Sequence, residues 1–180
     1  AAELYQFCSS LAGIRPVGLH AYDGHQRNPD IVQRTLECDQ GFEPVFTLQK
    51  RITEMGLPEP VIIAGGSPTF PIHAIRKLVE CSPGTCIFWD KGYKDLCPEQ
   101  PFEPAVVLVT RVISLPTSTR ICLDLGHKSV AAENEIARRV FFPEAPELKP
   151  VSQSEEHLVM EAPNGHPYKP GDVFYGIPYH

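Results

Sequence analysis

The sequence predicts an α/β fold in two parts: alternating helix and strand over residues 1–98, then a β-rich segment over 99–180. Three observations predict it. Short apolar runs alternate with helical stretches in the first half. Glycine-rich turns follow those runs. After Pro98 the helical patterns give way to strand-like runs broken by prolines.

Taken in order, Ala2 to Leu11 reads as a helix stopped by Gly13, a residue common just past a helix end. Val17–Tyr22 reads as a strand entering the turn Asp23-Gly24-His25. Asn28-Pro29-Asp30 is a helix start, with Asn28 as cap and Pro29 at the first helical position. The apolar stripe of that helix begins with Ile31, Val32 and Leu36. It resumes past an interruption at Gly41 with Phe46, Leu48, Ile52 and Met55. The unbroken apolar run Pro60–Ala64 reads as a strand covered on both faces, ending in Gly65-Gly66-Ser67-Pro68-Thr69. Thr85–Trp89, after Ser82-Pro83-Gly84, reads as a third strand. Strand, helix, strand, short helix, strand is a parallel unit, in which function gathers at the carboxyl ends of strands. Tyr22–His25, Gly65–Thr69 and the stretch after Trp89 fall there.

In the second half, Ala105–Ile113 and Arg120–Asp124 read as strands joined by Ser114–Thr119. Further strands are expected at Glu156–Met160 and Val173–Ile177. Phe142–Pro150 is read as a proline-rich surface connection. Three parallel strands cannot close a barrel, so the chain is expected to be a segment of a larger fold.

Composition narrows the function classes. The 180 residues are 42% apolar and 21% charged, enough for a real core. Sixteen basic against twenty-two acidic side chains give a net charge of -6, which argues against a nucleic-acid surface. No apolar run approaches the roughly 20 residues of a membrane span, and no signal pattern opens the chain. Six cysteines without any C-x-x-C pair read as free thiols in a reducing cytoplasm.

Several residues could carry chemistry. Gly65-Gly66-Ser67-Pro68-Thr69 after a buried strand suits a phosphate cradle, since glycines admit an anion to the backbone N–H groups and hydroxyls add donors. The plain alternative is a strand-to-helix turn, and neither G-x-G-x-x-G nor G-K-[ST] is present. A second turn, Pro83-Gly84-Thr85, could grip the same phosphate from an adjacent strand. Glu155-Glu156-His157 and His180 are metal candidates, imidazole and carboxylate suiting zinc or manganese. A hydrogen-bonded histidine is the commoner reading of each, and of His20, His73 and His127. His166 reads as surface, and His25 is distinguished only by its place at a strand end. Tyr22 could face a cofactor ring or move a proton, or be a packed tyrosine. Asp124-Leu-Gly-His-Lys128-Ser129 puts a charged pair around a glycine turn. None of the seven lysines stands out as a Schiff-base former.

Six motifs in order carry a family resemblance: Gly18-Leu-His-Ala-Tyr-Asp-Gly-His25, Ala64-Gly-Gly-Ser-Pro-Thr69, Ser82-Pro-Gly-Thr-Cys-Ile-Phe-Trp-Asp90, Asp124-Leu-Gly-His-Lys-Ser129, Ser154-Glu-Glu-His157 and Gly171-Asp-Val-Phe-Tyr-Gly-Ile-Pro-Tyr-His180. Together they resemble the D-threonine aldolase and D-serine dehydratase family of pyridoxal-phosphate enzymes, related to alanine racemases. The resemblance implies the C-terminal part of a (β/α)8 barrel over 1–98 and a β-domain over 99–180, with pyridoxal phosphate in the barrel mouth and a divalent metal, zinc or manganese, beside it.

It also implies roles. Gly65, Gly66, Ser67 and Thr69, with Gly84 and Thr85, match the phosphate-binding strand ends. Tyr22 matches the side chain against the cofactor ring and is a catalytic candidate. His157 matches a nearby ligand or acid–base group. His180 matches the metal-binding histidine, whose family partner, a Cys or Asp, comes two residues later. The family's Schiff-base lysine falls upstream of Ala1. Ser82 stands where a racemase has an arginine, which favours the lyase side. The implied activity is a metal-assisted lyase acting on D-amino acids, by aldol cleavage or dehydration, with this segment alone inactive. An alanine-racemase-like isomerase and a non-catalytic cofactor-binding relative are the alternatives. A homodimer is a family assembly, although no residue pattern here marks an interface.

Overall fold

The computed structural model describes residues 1–180, which divide into two compact units. The first comprises Ala1–Ile87 with Leu96–Pro101, and the second Phe88–Asp95 with Phe102–His180. No helix is long and apolar enough to cross a membrane.

The first unit is a parallel sheet in the order β1 (Gly18–Tyr22), β2 (Val61–Gly65), β3 (Val79–Cys81). Alternation along the strands decides what each face carries. On one face Ala21, Ile62, Ala64 and Val79 pack with Phe42, Val45 and Phe46 of helix α2 (Ile31–Glu54). His20 pairs in register with Ile63, and Tyr22 with Gly65, so these residues take the other face. That face is open: His20 and Tyr22 are exposed and Ile63 half-buried, so β2 is not covered on both sides as its apolar run suggested. Helix α1 (Ala2–Ser10) contacts α2, and Glu3 pairs with Arg51.

Two expectations are corrected here, the cap of α2 and the place of the third strand, while the extension of α2 past Gly41 is as expected. The cap of α2 is Asp30, whose Oδ1 accepts from Val32 N at 2.8 Å and Gln33 N at 3.0 Å. Asn28 acts one step earlier, its Oδ1 accepting from Asp30 N. The helix runs through both Gly41 and Pro44. Pro44 removes the bond to the Gln40 carbonyl, but both residues lie on the exposed side, where water can serve it. Burial of Cys38, Phe42 and Ile52 on the other side holds the helix together. The third strand is Val79–Cys81, and Thr85–Ile87 forms a 3-10 turn instead. A three-residue strand has too little alternation to show in sequence.

The second unit is a six-stranded antiparallel sheet, ordered β6-β9-β4-β5-β8-β7. The strands are β4 (Leu108–Thr117), β5 (Arg120–Leu123), β6 (Val140–Phe141), β7 (Lys149–Gln153), β8 (Leu158–Glu161) and β9 (Val173–Pro178). Its core includes Val112, Ile121, Leu123, Leu158, Met160 and Phe174. Strand β4 continues through Thr117, leaving a tight turn rather than a six-residue connection. Phe142–Pro150 is not a surface connection. Phe142, Ala145 and Leu148 enter the core at 3%, 1% and 7% exposure, at intervals of three that two turn hydrogen bonds maintain. His166 is half-buried and stacked on Tyr168, with ring centroids 5.8 Å apart, rather than free on the surface.

Candidate functional site

In the first unit the carboxyl ends of the three strands carry the candidate cofactor residues. Ser82 N donates to Ala64 O and Asp23 N to Gly65 O, which draws the three strand ends together. On the open face His20 Nε2 lies 2.8 Å from Ser82 Oγ. The Tyr22 ring, 71% exposed, stands next to them. A β-carbon on Gly65 would meet Tyr22, His20 and Ser82 at 3.2–3.4 Å, so glycine leaves the floor of this cluster clear. Nothing lies within 4 Å of the position a Gly84 side chain would take.

Behind the glycine turn lies a buried polar network. Gly66, at φ 132°, sits against Asp23 and Thr69, where a β-carbon would come within 2.4 Å of Asp23 Oδ1. Thr69 Oγ1 donates to Asp23 Oδ1, and His73 Nε2 is 2.7 Å from Oδ2. The Cys38 thiol donates to Oδ2 at 3.5 Å and lies 3.4 Å from His73 Nε2. Burial alone would raise the Asp23 pKa, but hydrogen bonds from His73 and Thr69 outweigh it and hold the carboxyl below its usual range. Burial, followed by the Asp23 charge, pushes the Cys38 thiol up to about 12, although Arg76 pulls the other way. Thr69 is fully buried and its hydroxyl is committed to Asp23, so it supports the turn rather than offering a free donor. Ser67 is also buried, and its carbonyl accepts from Gln100 Nε2. Thr85 opens the 3-10 turn and is half-buried.

In the second unit His180 follows β9, half exposed. Its Nδ1 lies 2.9 Å from Asp90 Oδ2, and its Nε2 3.7 Å from Glu133 Oε1. His157 is exposed in the turn before β8, at the same end of the sheet but three strands away. Arg139 relates the two edges there: its carbonyl accepts from Tyr179 N and its guanidinium donates to Gln153. The motifs Asp124–Ser129 and Ser154–His157 pack backbone to backbone, His127 N donating to Ser154 O and Lys128 N to Glu155 O. The pair read around the Gly126 turn does not form. Asp124 accepts from Thr110 Oγ1 and Arg111 N, while Lys128 pairs with Glu155 and Glu156.

Residues 105–180, the body of the β-rich unit, match the family model of a putative serine dehydratase domain. A D-threonine aldolase from an Arthrobacter species is 29% identical over 136 residues, 72% of this chain and 35% of that protein. In sequence the chain is thus similar to a serine dehydratase domain over its second half and to a D-threonine aldolase over most of its length. Its fold is similar to that of solved structures of such proteins. The crystal structure of D-threonine aldolase from Filomicrobium marinum superposes with a TM-score of 0.85 at 21% identity, over 99% of this chain and 48% of that one. An alanine-racemase-like protein from Idiomarina loihiensis superposes at 0.77 with 17% identity, over 100% of this chain and 52% of that one. The chain thus spans about a third to a half of the length of these relatives.

The motifs that carried the resemblance contain residues that sequence reasoning passed over. Asp23 and Asp90 sit inside quoted motifs, yet only folding shows that one grips His73 and the other His180. Cys38, His73 and Glu133 had no sequence signal, because their partners lie between 15 and 50 positions away.

Proposed function

We propose that this chain is the cofactor-phosphate and metal-histidine portion of a pyridoxal-phosphate-dependent, metal-assisted lyase acting on D-amino acids in the cytoplasm. The observation that carries the reading is the His20–Ser82 pair at 2.8 Å beside the exposed Tyr22 ring, on the open face of a parallel sheet and at the lip of two glycine turns. The residues fit the cofactor: Gly65 leaves a floor that any side chain would fill, and Gly84 borders open space. Six unpaired cysteines agree with a reducing compartment.

When bound, pyridoxal phosphate supplies an electron sink for negative charge developing at the substrate α-carbon. Backbone amides of Gly65, Gly66 and Ser67, and of Gly84 and Thr85, would hold its phosphate, with Thr69 bracing the first turn. Tyr22 would lie against the ring and exclude water from one side. Ser82, held by His20, would offer a hydroxyl to the ring, a weak partner compared with an arginine and one that suits cleavage or elimination better than racemisation. His180 would hold zinc or manganese through Nε2, polarising a substrate β-hydroxyl. His157 would act as acid–base group or additional ligand.

The test is to supply the full-length protein with pyridoxal phosphate and manganese or zinc, then add D-threonine or D-serine. Glycine with acetaldehyde from D-threonine identifies the aldolase, and pyruvate with ammonia from D-serine the dehydratase. Loss of optical activity without either product, or no visible cofactor absorbance at all, overturns the lyase reading.

A further inference from the structure

The segment Trp89–Gly92 is built with unusual constraint for a helix start. Trp89 is 2% exposed and adopts φ 49°, a left-handed conformation that is unfavourable for a bulky residue. Its ring is stacked on Tyr93 at 5.5 Å and packed against Phe102 at 5.2 Å, which holds it there. The consequence is the aim of the next side chain. Asp90 is buried, and its two oxygens have separate duties. Oδ1 accepts from Tyr93 N at 2.7 Å, capping the first turn of the short helix Lys91–Leu96, while Oδ2 meets His180 Nδ1 at 2.9 Å. The same turn grips the chain beside His180: Gly92 N donates to Tyr179 O, which lies 2.5 Å from where a Gly92 β-carbon would be. The Tyr93 ring meets the His180 ring edge-on at 5.9 Å.

We propose that Asp90 is the positioning residue of His180, fixing its proton on Nδ1 so that Nε2 presents a lone pair to a divalent cation on the side where Glu133 stands. A carboxylate behind a histidine ligand sets the tautomer, fixes the ring's orientation and raises the basicity of the coordinating nitrogen. Nε2 is the ring nitrogen left unbonded by Asp90, and the Glu133 carboxylate 3.7 Å from it adds negative charge where the cation would sit. The inference rests on the reading of His180 as a metal ligand, and its tests separate the two.

The first test needs no variant. In the metal-free, full-length protein, above the ordinary histidine pKa of roughly 6.5, nitrogen NMR of the His180 ring should show the proton on Nδ1. A proton on Nε2 overturns the proposal. The second is zinc affinity of the full-length protein by chelator competition. Asp90→Asn keeps an acceptor for Tyr93 N but turns an amide donor toward Nδ1, forcing the proton to Nε2. Zinc binding should weaken about 10- to 100-fold, with the far-ultraviolet dichroism unchanged, and Asp90→Glu should recover part of it. Unchanged affinity in Asp90→Asn, where His180→Ala does weaken binding, overturns the positioning role alone. Unchanged affinity in His180→Ala overturns the metal reading and this inference with it. Should Asp90→Asn fail to fold, the NMR result decides.

Discussion

The carbonyl oxygen of Glu155 occupies the space where a side chain on residue 126 would begin, for a β-carbon on Gly126 would stand only 1.9 Å from it. Backbone therefore lies directly on backbone where the 124–129 and 154–157 loops meet. Gly126→Ala should destabilise the protein by about 3 kcal/mol or more, since neither loop can yield without breaking the His127 N–Ser154 O and Lys128 N–Glu155 O bonds. Urea unfolding measures it. A loss below about 1 kcal/mol would mean that the loops separate freely.

Asp23 predicts a specific acid sensitivity. Its folded pKa lies below the ordinary value because His73 and Thr69 donate to the carboxylate strongly enough to overcome burial. A depressed folded pKa gives stability that is fully present above the unfolded value of roughly 3.9 and is lost as pH falls through the folded one. The stability gap between wild type and Asp23→Asn should be largest near neutrality and narrow below about pH 4. Thermal unfolding across that range shows it, and a gap independent of pH refutes the network's role.

Cys38 should be chemically silent. With its thiol pushed up to about 12, only about one molecule in ten thousand carries the reactive thiolate at pH 8. Alkylation with iodoacetamide followed by peptide mass mapping should leave Cys38 unmodified in the folded protein and modify it after unfolding. The half-exposed Cys8 should react without denaturant. Native labelling of Cys38 at a comparable rate would show that the Asp23–His73–Cys38 cluster opens readily.

Ser82→Ala should weaken pyridoxal-phosphate binding about 3- to 10-fold, the worth of one neutral hydrogen bond, and leave stability within about 0.5 kcal/mol because Ser82 is exposed. Gly66→Ala, by contrast, should disrupt the turn itself, with a β-carbon placed 2.4 Å from Asp23 Oδ1 at a φ of 132°. Cofactor titration monitored by absorbance separates the two. Unchanged cofactor affinity in Ser82→Ala would argue that Ser82 has no contact with the ring.

Much of the architecture was legible before folding. The strands at Val17–Tyr22 and Pro60–Ala64 announce themselves by apolar runs ending in glycine, and they form at Gly18–Tyr22 and Val61–Gly65. The β-rich second half was marked by its prolines and short apolar runs, and its strands at Arg120–Leu123 and Val173–Pro178 fall where those runs placed them. Three-residue β3 and two-residue β6 were not legible, because they exist only through their pairing with β2 and β9. The long helix α2 was legible from its apolar stripe on both sides of Gly41, and the local penalties of Gly41 and Pro44 are overridden by the packing of Phe42 and Val45 on the sheet.

By itself the sequence determined the helix-and-strand first half and the β-rich second half, the glycine turns at the strand ends and the six motifs that resemble the D-threonine aldolase family. These are local properties, written in neighbouring residues by backbone sterics and hydrophobic periodicity. Only the tertiary structure decided which polar side chains act together: His20 with Ser82, Asp23 with Cys38 and His73, and Asp90 with His180 across 90 positions. The physical reason is that a hydrogen bond acts over about 3 Å, so its partners are chosen by where the folded backbone brings them, not by how far apart they stand in the chain.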